Sequence, residues 1–343
     1  MEINEILEQK IELQRTLEDW NKPFDWSLYN KSQTREKVMF LRILKELCDT
    51  LPEKQRINSA KPLNLSHIIF CLCMKSYCLK SGRRIIGELE LCRRMGLIKK
   101  TPHFNSLFNY LKNPKLTPIL QDLIKLSSLP LKSIEKKFCG DSTGFGTSIL
   151  DDKWSKIRSE YSQHHRYMKA HISFGVLTNI VTHCVVTKGT KADSPYLPEL
   201  VDETAKEFEI VEYSFDKAYS SRKNMHEIYK HNECLPLIPF KSNAVGRKSK
   251  NYQIWVEMYK FFKNNNEEFM KKYHLRSNAE SGMRMIKARF GDLTAMKDDA
   301  GAINDVLSKV LCHNLCVLCQ EFFFLGVDLD FAQFKRDSAH LQD

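Results

Sequence analysis

No unbroken apolar run in this chain is long enough to cross a bilayer. Its longest unbroken apolar runs, such as Ile68 to Met74, cover only seven residues, whereas a spanning helix needs about 20. The first residues, MEINEILEQK, are charged and lack the apolar core of a signal peptide. There is no internal repeat and no low-complexity tract, which excludes repeat arrays and compositionally biased segments. The loop Gly144-Phe145-Gly146-Thr147 fails the phosphate-binding fingerprints. Ser142 and Thr143 have no matched His–acid pair, so a hydrolase triad is excluded as well. These absences leave a soluble, cytoplasmic protein with no membrane partner as the expectation.

What is present is enough chain for two domains, 343 residues, of which 42% are hydrophobic. The net charge is +11, and its placement is uneven. Between Lys241 and Arg289 stand 12 Lys or Arg against 4 Glu and no Asp, a local charge of +8. Positive charge this concentrated suits a polyanion, nucleic acid first; the plain alternative is a solvated helical surface. The 11 cysteines are an odd number in a chain without a secretion signal, so reduced thiols are expected. Cys71-x-Cys73 and Cys312-x3-Cys316-x2-Cys319 with His313 have spacings reminiscent of zinc ligands. They lie in apolar helical context, however, where a free Cys packs as a small hydrophobe.

Residues 1–132 read as an all-helical region for DNA binding or dimerisation. Helical spacing of apolar residues runs through EINEILEQKIELQRTLEDW, TREKVMFLRILKELCDTL and LSHIIFCLCMKSYCLK. The pair RRIIGELELCRRMG and HFNSLFNYLK fits either a helix-turn-helix DNA reader or an ordinary helical hairpin, with Arg83, Arg84, Arg93 and Arg94 keeping the first open. From 133 to 325 the texture is mixed. IEKKFCGDSTGFG reads as a strand ending at Asp141. MKAHISFGVLTNIVTHCVVTKGT reads as a hairpin about Thr178-Asn179. A helix capped by Ser194, a strand delivering Asp216, a short helix, a strand and three helices follow, giving the order β-β-β-α-β-α-β-α-α and beyond. Residues 326–343 are expected to be a tail with frayed ends.

The chemistry concentrates in three acids: Asp141, Asp216 and Glu280. Glu280 belongs to the run Tyr273 to Lys287, which reads as one helix. Its periodicity sets Tyr273, Arg276, Glu280 and Lys287 in one polar row beside an apolar stripe of Ala279, Met283, Ile286 and Phe290. Each acid alone has an ordinary reading: a turn former for Asp141, an i,i+4 partner of Arg276 for Glu280. Together, two strand-end acids and a helical acid beside cations suit oxygen ligation of Mg²⁺ or Mn²⁺, with two ions able to serve phosphoryl transfer.

Tyr273-x2-Arg276-x3-Glu280-x6-Lys287 resembles the third signature of DDE transposases encoded by prokaryotic insertion sequences. Asp141 in GDSTGF and Asp216 in FDKAYSSRKN resemble the first two acids of that triad. The resemblance implies an α/β fold: a ribonuclease-H-like mixed sheet flanked by helices, preceded by the all-helical N-terminal domain. It implies that Asp141, Asp216 and Glu280 are catalytic and hold two Mg²⁺ (or Mn²⁺) ions. It also implies that Tyr273, Arg276 and Lys287 bind DNA. The partners implied are double-stranded DNA, as terminal inverted repeats and target, and a second copy in a homodimer. With only 64 residues between Asp216 and Glu280, the large β-rich insertion of some relatives is absent. Trp154, Tyr161 and Trp255 are candidates for gripping a flipped base or for core packing. His164, His165 and His171 read as surface or packed groups. Asp193 reads as a helix-leading acid or a neighbour of the ion site, and Lys217, Arg222 and Lys223 as DNA contacts or solvent-facing charges.

Overall fold

The computed structural model describes residues 25–52, 64–147, 167–247 and 252–340, with side chains to 336. The helix expected over residues 2–20, Trp154, Tyr161, His164 and His165 lie outside them. The chain forms two compact units, one of Met1–Ile134 with Ala288–Asp343, the other of Glu135–Lys287.

The helical unit contains α1 (Trp26–Asp49), α2 (Leu65–Tyr77), α3 (Ile85–Arg94), α4 (Phe104–Leu111), α5 (Leu116–Ser128), α11 (Asp299–Leu325) and α12 (Phe331–His340). Helical periodicity buries Phe40, Ile43, Leu44 and Leu47 on one face of α1. Asp25 caps this helix by accepting from the Leu28 amide at 3.0 Å. The organising element is α11, which packs against α1, α2 and α5. Asp298 caps its start through the Gly301 amide, and Gly326 ends it in the left-handed region at φ 60°. By length and composition α11 could span a membrane, but 94% of its apolar window is buried inside the protein. It is therefore a core helix. Two of its buried polar side chains are matched inside the unit: Asp305 meets Lys75 at 3.1 Å, and the Asn304 amide donates to the Leu111 and Asn113 carbonyls at 2.7 and 3.0 Å. α11 falls within the span 133–325 expected from sequence to be the catalytic region, and in the fold it clusters with the N-terminal helices. The expected tail contains α12. The described cysteines are all free, and all but Cys78 are buried. Cys312 Sγ donates to the Cys73 carbonyl at 3.3 Å.

The second unit is built on a five-stranded sheet in the order β3-β2-β1-β4-β5. The strands are β1 (Lys137–Gly146), β2 (Tyr167–Gly175), β3 (Val181–Lys188), β4 (Glu212–Phe215) and β5 (Leu235–Leu237). β1 to β3 form an antiparallel meander, whereas β4 and β5 run parallel to β1. The connection is made by α6 (Leu197–Ala205) and α7 (Arg222–Tyr229), with α8 (Gln253–Asn264), α9 (Asn266–Tyr273) and α10 (Ser277–Phe290) following. This is an α/β mixed sheet flanked by helices, with the element order read from sequence. Ser194 does not cap α6: a 3-10 turn, Ser194–Tyr196, precedes that helix instead.

Cross-strand partners share a face. One face carries Phe138, Gly140 and Ser142 of β1, opposite Gly175, Ser173 and His171 of β2. On it the Ser173, Thr182, Thr204 and Tyr213 hydroxyls interlock at 2.5–3.0 Å, tying α6 to the sheet. The opposite face carries Cys139 and Asp141, opposite Phe174 and Ile172, and α10 lies on it. The approach is close at Gly282, where a Cβ would sit 2.6 Å from the Phe174 ring.

A buried acid sets the β2–β3 turn, where Asn179 takes a left-handed conformation at φ 60°. Glu135 accepts from the Thr178 amide and hydroxyl, both at 2.7 Å, and from the Leu177 amide at 3.2 Å. Burial raises its carboxyl from 4.5 to about 7, against these donors. An acid with a raised folded pKa holds its proton while the unfolded chain releases one, so its stabilising contribution is full below about 4.5 and is lost as pH rises through about 7. The melting temperature of the wild type should therefore fall relative to Glu135→Gln between pH 5 and pH 8. Parallel curves would show that Glu135 does not titrate in that window.

Candidate active site

Pairing explains where the first acid emerges. β1 is bonded to β2 along its length, from Phe138↔Gly175 to Gly146↔Tyr167. Its parallel pairing with β4 stops at Gly140↔Phe215. Asp141 and Asp216 are the next residues on these two neighbours; alternation turns Asp141 toward the α10 face, and Asp216 follows the end of β4. Asp141 thus lies within β1 rather than at its end: the antiparallel partner carries the strand five residues farther, to Gly146.

Asp216 opens a 3-10 turn, its carboxylate accepting from the Lys217 amide at 2.6 Å. Asp141 uses both oxygens, Oδ1 accepting from the Ser142 amide at 2.8 Å and Oδ2 from Arg276 Nη1 at 2.8 Å. Burial pushes the Asp141 carboxyl above the usual range; Asp216 adds to this, while the Ser142 amide and Arg276 oppose it.

The run Tyr273 to Lys287 is not one helix. Tyr273 ends α9, His274–Arg276 forms a 3-10 turn, and α10 begins at Ser277. Tyr273, Arg276 and Glu280 nevertheless stay together across the break. Arg276 Nη2 donates to Glu280 Oε1 at 2.6 Å, so one guanidinium joins Asp141 to Glu280. The Tyr273 ring centroid lies 5.8 Å from that guanidinium. Burial disfavours the Arg276 charge, but Tyr273, Asp141 and Glu280 outweigh it and raise its pKa. Lys287 lies farther along, its ammonium 5.6 Å from the Phe145 ring centroid. Phe145 is four residues beyond Asp141, roughly 13 Å along the strand. The apolar stripe of α10, namely Ala279, Met283, Ile286 and Phe290, is buried as its spacing implies.

Two supports were invisible in the sequence. Asn278 donates to the Val176 carbonyl at 2.7 Å, fastening the first turn of α10 to the end of β2. Lys272 of α9 meets Glu212 of β4 at 2.9 Å. No residue type or spacing announces either contact.

Several other candidates take part in packing or ion pairs. The His171 side chain is fully buried, stacked on Tyr196 at 4.3 Å and 3.1 Å from the Thr187 hydroxyl, and burial lowers its imidazole to about 4. Asp193 pairs with Lys169 at 3.0 Å. Trp255 is buried against Phe240 and donates to the Val245 carbonyl at 2.9 Å. Lys217 and Lys223 are exposed, and Arg222 lies 5.9 Å from the Trp255 ring. Of the helix-turn-helix candidate's cations, Arg93 and Arg94 are both held by Glu90.

Among the described residues, no group of three His, Cys, Asp or Glu side chains is placed to hold a metal ion as it stands. The donor chemistry at the acids nevertheless fits a hard divalent cation. All the donors are carboxylate oxygens, and a positive group, Arg276, already bridges two of them.

Residues 135–315, just over half of the chain, match a family model described as the transposase DDE domain. The chain belongs to that family. No curated protein sequence matches it. Among solved structures, the chain is similar to a cryo-EM structure of a piggyBac transposase synaptic complex with hairpin DNA. Identity is 10%, the TM-score is 0.41, and the similarity covers 88% of this chain and 78% of the other. At that score the likeness is too slight to bear on function.

Proposed function

We propose that this transposase cleaves DNA at the ends of a prokaryotic insertion sequence and joins them to target DNA, using a ribonuclease-H-like core. One observation carries the reading: Asp141 and Asp216 directly follow the last pair of the parallel β1–β4 ladder, and Arg276 links Asp141 to Glu280 at 2.8 and 2.6 Å. Asp141, Asp216 and Glu280 would hold two Mg²⁺ or Mn²⁺ ions. Bound there, the ions would supply activation of an oxygen nucleophile and charge stabilisation of the leaving oxygen. In cleavage, water attacks the phosphorus and the 3′-oxygen leaves with a proton. In joining, that 3′-hydroxyl attacks a target phosphodiester, whose own 3′-oxygen leaves.

The side chains around the acids suit phosphate. Arg276 offers a planar fork and Lys287 a point charge, while Tyr273 adds a phenol beside the fork. The helical unit, with the N-terminal segment, would bind DNA or dimerise, since two ends must be handled together. The protein would act in the cytoplasm, on the nucleoid.

The experiment is incubation of the full chain with a labelled duplex carrying the element's terminal repeat, target plasmid and Mg²⁺. Joined products are expected. Cut ends without joining would make it a hydrolytic nuclease of the same fold, and binding without cutting a silent DNA-binding relative. Either outcome overturns the proposal.

A further inference from the structure

We propose that Arg276 is a built-in cation that keeps the acid site closed until a DNA phosphate draws it away, so that divalent-ion binding follows DNA binding. This rests on the reading of Asp141, Asp216 and Glu280 as ion ligands.

The geometry is a bridge rather than a single pair. Two different nitrogens of one planar group hold two carboxylates, Asp141 at 2.8 Å and Glu280 at 2.6 Å. The Arg276 side chain is only 15% exposed, so it sits in the site and does not wave above it. Without it, Asp141 and Glu280 would have no charged partner among the described residues. A guanidinium in that position neutralises part of the acid charge and occupies two oxygens an ion would need.

The two arms differ in strength. Glu280 is 63% exposed, and a solvent-facing pair contributes little. The Asp141 side chain is 22% exposed, so its charge-assisted bond is the stronger hold. Release therefore needs a competing anion that matches the fork, which a phosphodiester does. Once a divalent ion is present, like-charge repulsion keeps the guanidinium out. Release needs only the side chain to swing, because the backbone of Arg276 lies in a three-residue 3-10 turn between two helices, held in place by Asn278 on the Val176 carbonyl. The Tyr273 ring, with its centroid 5.8 Å away, offers the cation a resting surface in the closed state.

The rival account of the same bridge is a strut: Arg276 holds mutually repelling acids together, and ions bind better because of it. The two accounts predict opposite signs. Mn²⁺ titration followed by the paramagnetic resonance of free Mn²⁺ reads binding without reading activity. For the DNA-free full chain, Arg276→Ala should bind Mn²⁺ about tenfold more tightly than wild type, the scale of one charged hydrogen bond removed from competition. Arg276→Gln, which keeps a polar side chain without the charge, should behave likewise. A terminal-repeat duplex should tighten Mn²⁺ binding to wild type by a similar factor and leave both variants nearly unchanged. Equal or weaker binding by both variants, with the duplex still tightening wild type, would overturn the closure and favour the strut. Mn²⁺ binding that is unaltered by Asp141→Ala, with or without duplex, would overturn the ligand assignment itself.

Discussion

Replacing Asp141 by Asn is expected to abolish cleavage and joining, with a loss of about 10³-fold or more, the upper range for removing one electrostatic stabiliser from an active site. The substitution keeps the volume but not the acceptors. Asp141 accepts from the Ser142 amide with one oxygen and from Arg276 with the other. Asn offers one acceptor and presents an NH₂ group where the second oxygen was. A neutral amide also ligates a divalent ion far more weakly than a carboxylate. Folding should survive, because burial already disfavours the Asp141 charge. Binding to the terminal-repeat duplex should survive too, since none of the cations between Lys241 and Arg289 is altered. Gel shift and cleavage of the same labelled duplex separate the two effects. Cleavage within tenfold of wild type would remove Asp141 from the reaction.

Gly140→Ala should be nearly as damaging by a different route. A Cβ there would stand 2.1 Å from Phe215 Cε1 and 2.7 Å from Cζ. The ring cannot yield: Phe215 is fully buried, stacked on Tyr213 at 4.7 Å and tilted against Tyr219 at 5.0 Å. The β1–β4 seam must open instead, and Asp141 and Asp216 stand immediately past its last pair, Gly140↔Phe215. Overpacking of this kind costs about 1–3 kcal/mol, occasionally more, and displacing one acid against the other should cost activity beyond the lost stability. Urea unfolding and duplex cleavage would measure the two losses. Phe215→Leu in the same chain should restore part of both by making room. Gly87→Ala, on an exposed helical turn with nothing within 4 Å of the new Cβ, is the neutral control. Wild-type behaviour in Gly140→Ala would mean that the seam is slack.

Much of the architecture was legible because its signals are local. The stripe Ala279, Met283, Ile286 and Phe290 is buried as its period demands. The β2–β3 hairpin turns at Asn179, one of the few residue types that enters the left-handed region readily. The order of strands and helices around Asp141 and Asp216 follows from the same kind of pattern. What could not be read depends on partners distant in sequence. β1 runs past Asp141 because β2 is there to bond it, and no residue within GDSTGFG declares that partner. The break at His274–Arg276 contains neither Gly nor Pro, and it accompanies the reach of Arg276 to Asp141 across 135 residues. Glu135 looks like an ordinary strand-flanking acid until its turn partners, more than 40 residues away, are seen. Arg276 shows both sides: its i,i+4 relation to Glu280 was apparent, while its second carboxylate was not.

The discontinuity of the helical unit has a consequence for synthesis. α1 to α5 leave the ribosome long before α11, the helix on which α1, α2 and α5 pack. The segment 135–287 is complete in the interval and can close its own sheet. The early helices must meanwhile keep side chains such as Phe40, Leu44, Phe70 and Leu120 from unproductive association until the last quarter of the message has been translated. Premature termination before Asp299 would therefore release a chain whose sheet can form but whose N-terminal helices lack their central partner, a natural substrate for chaperones and proteases.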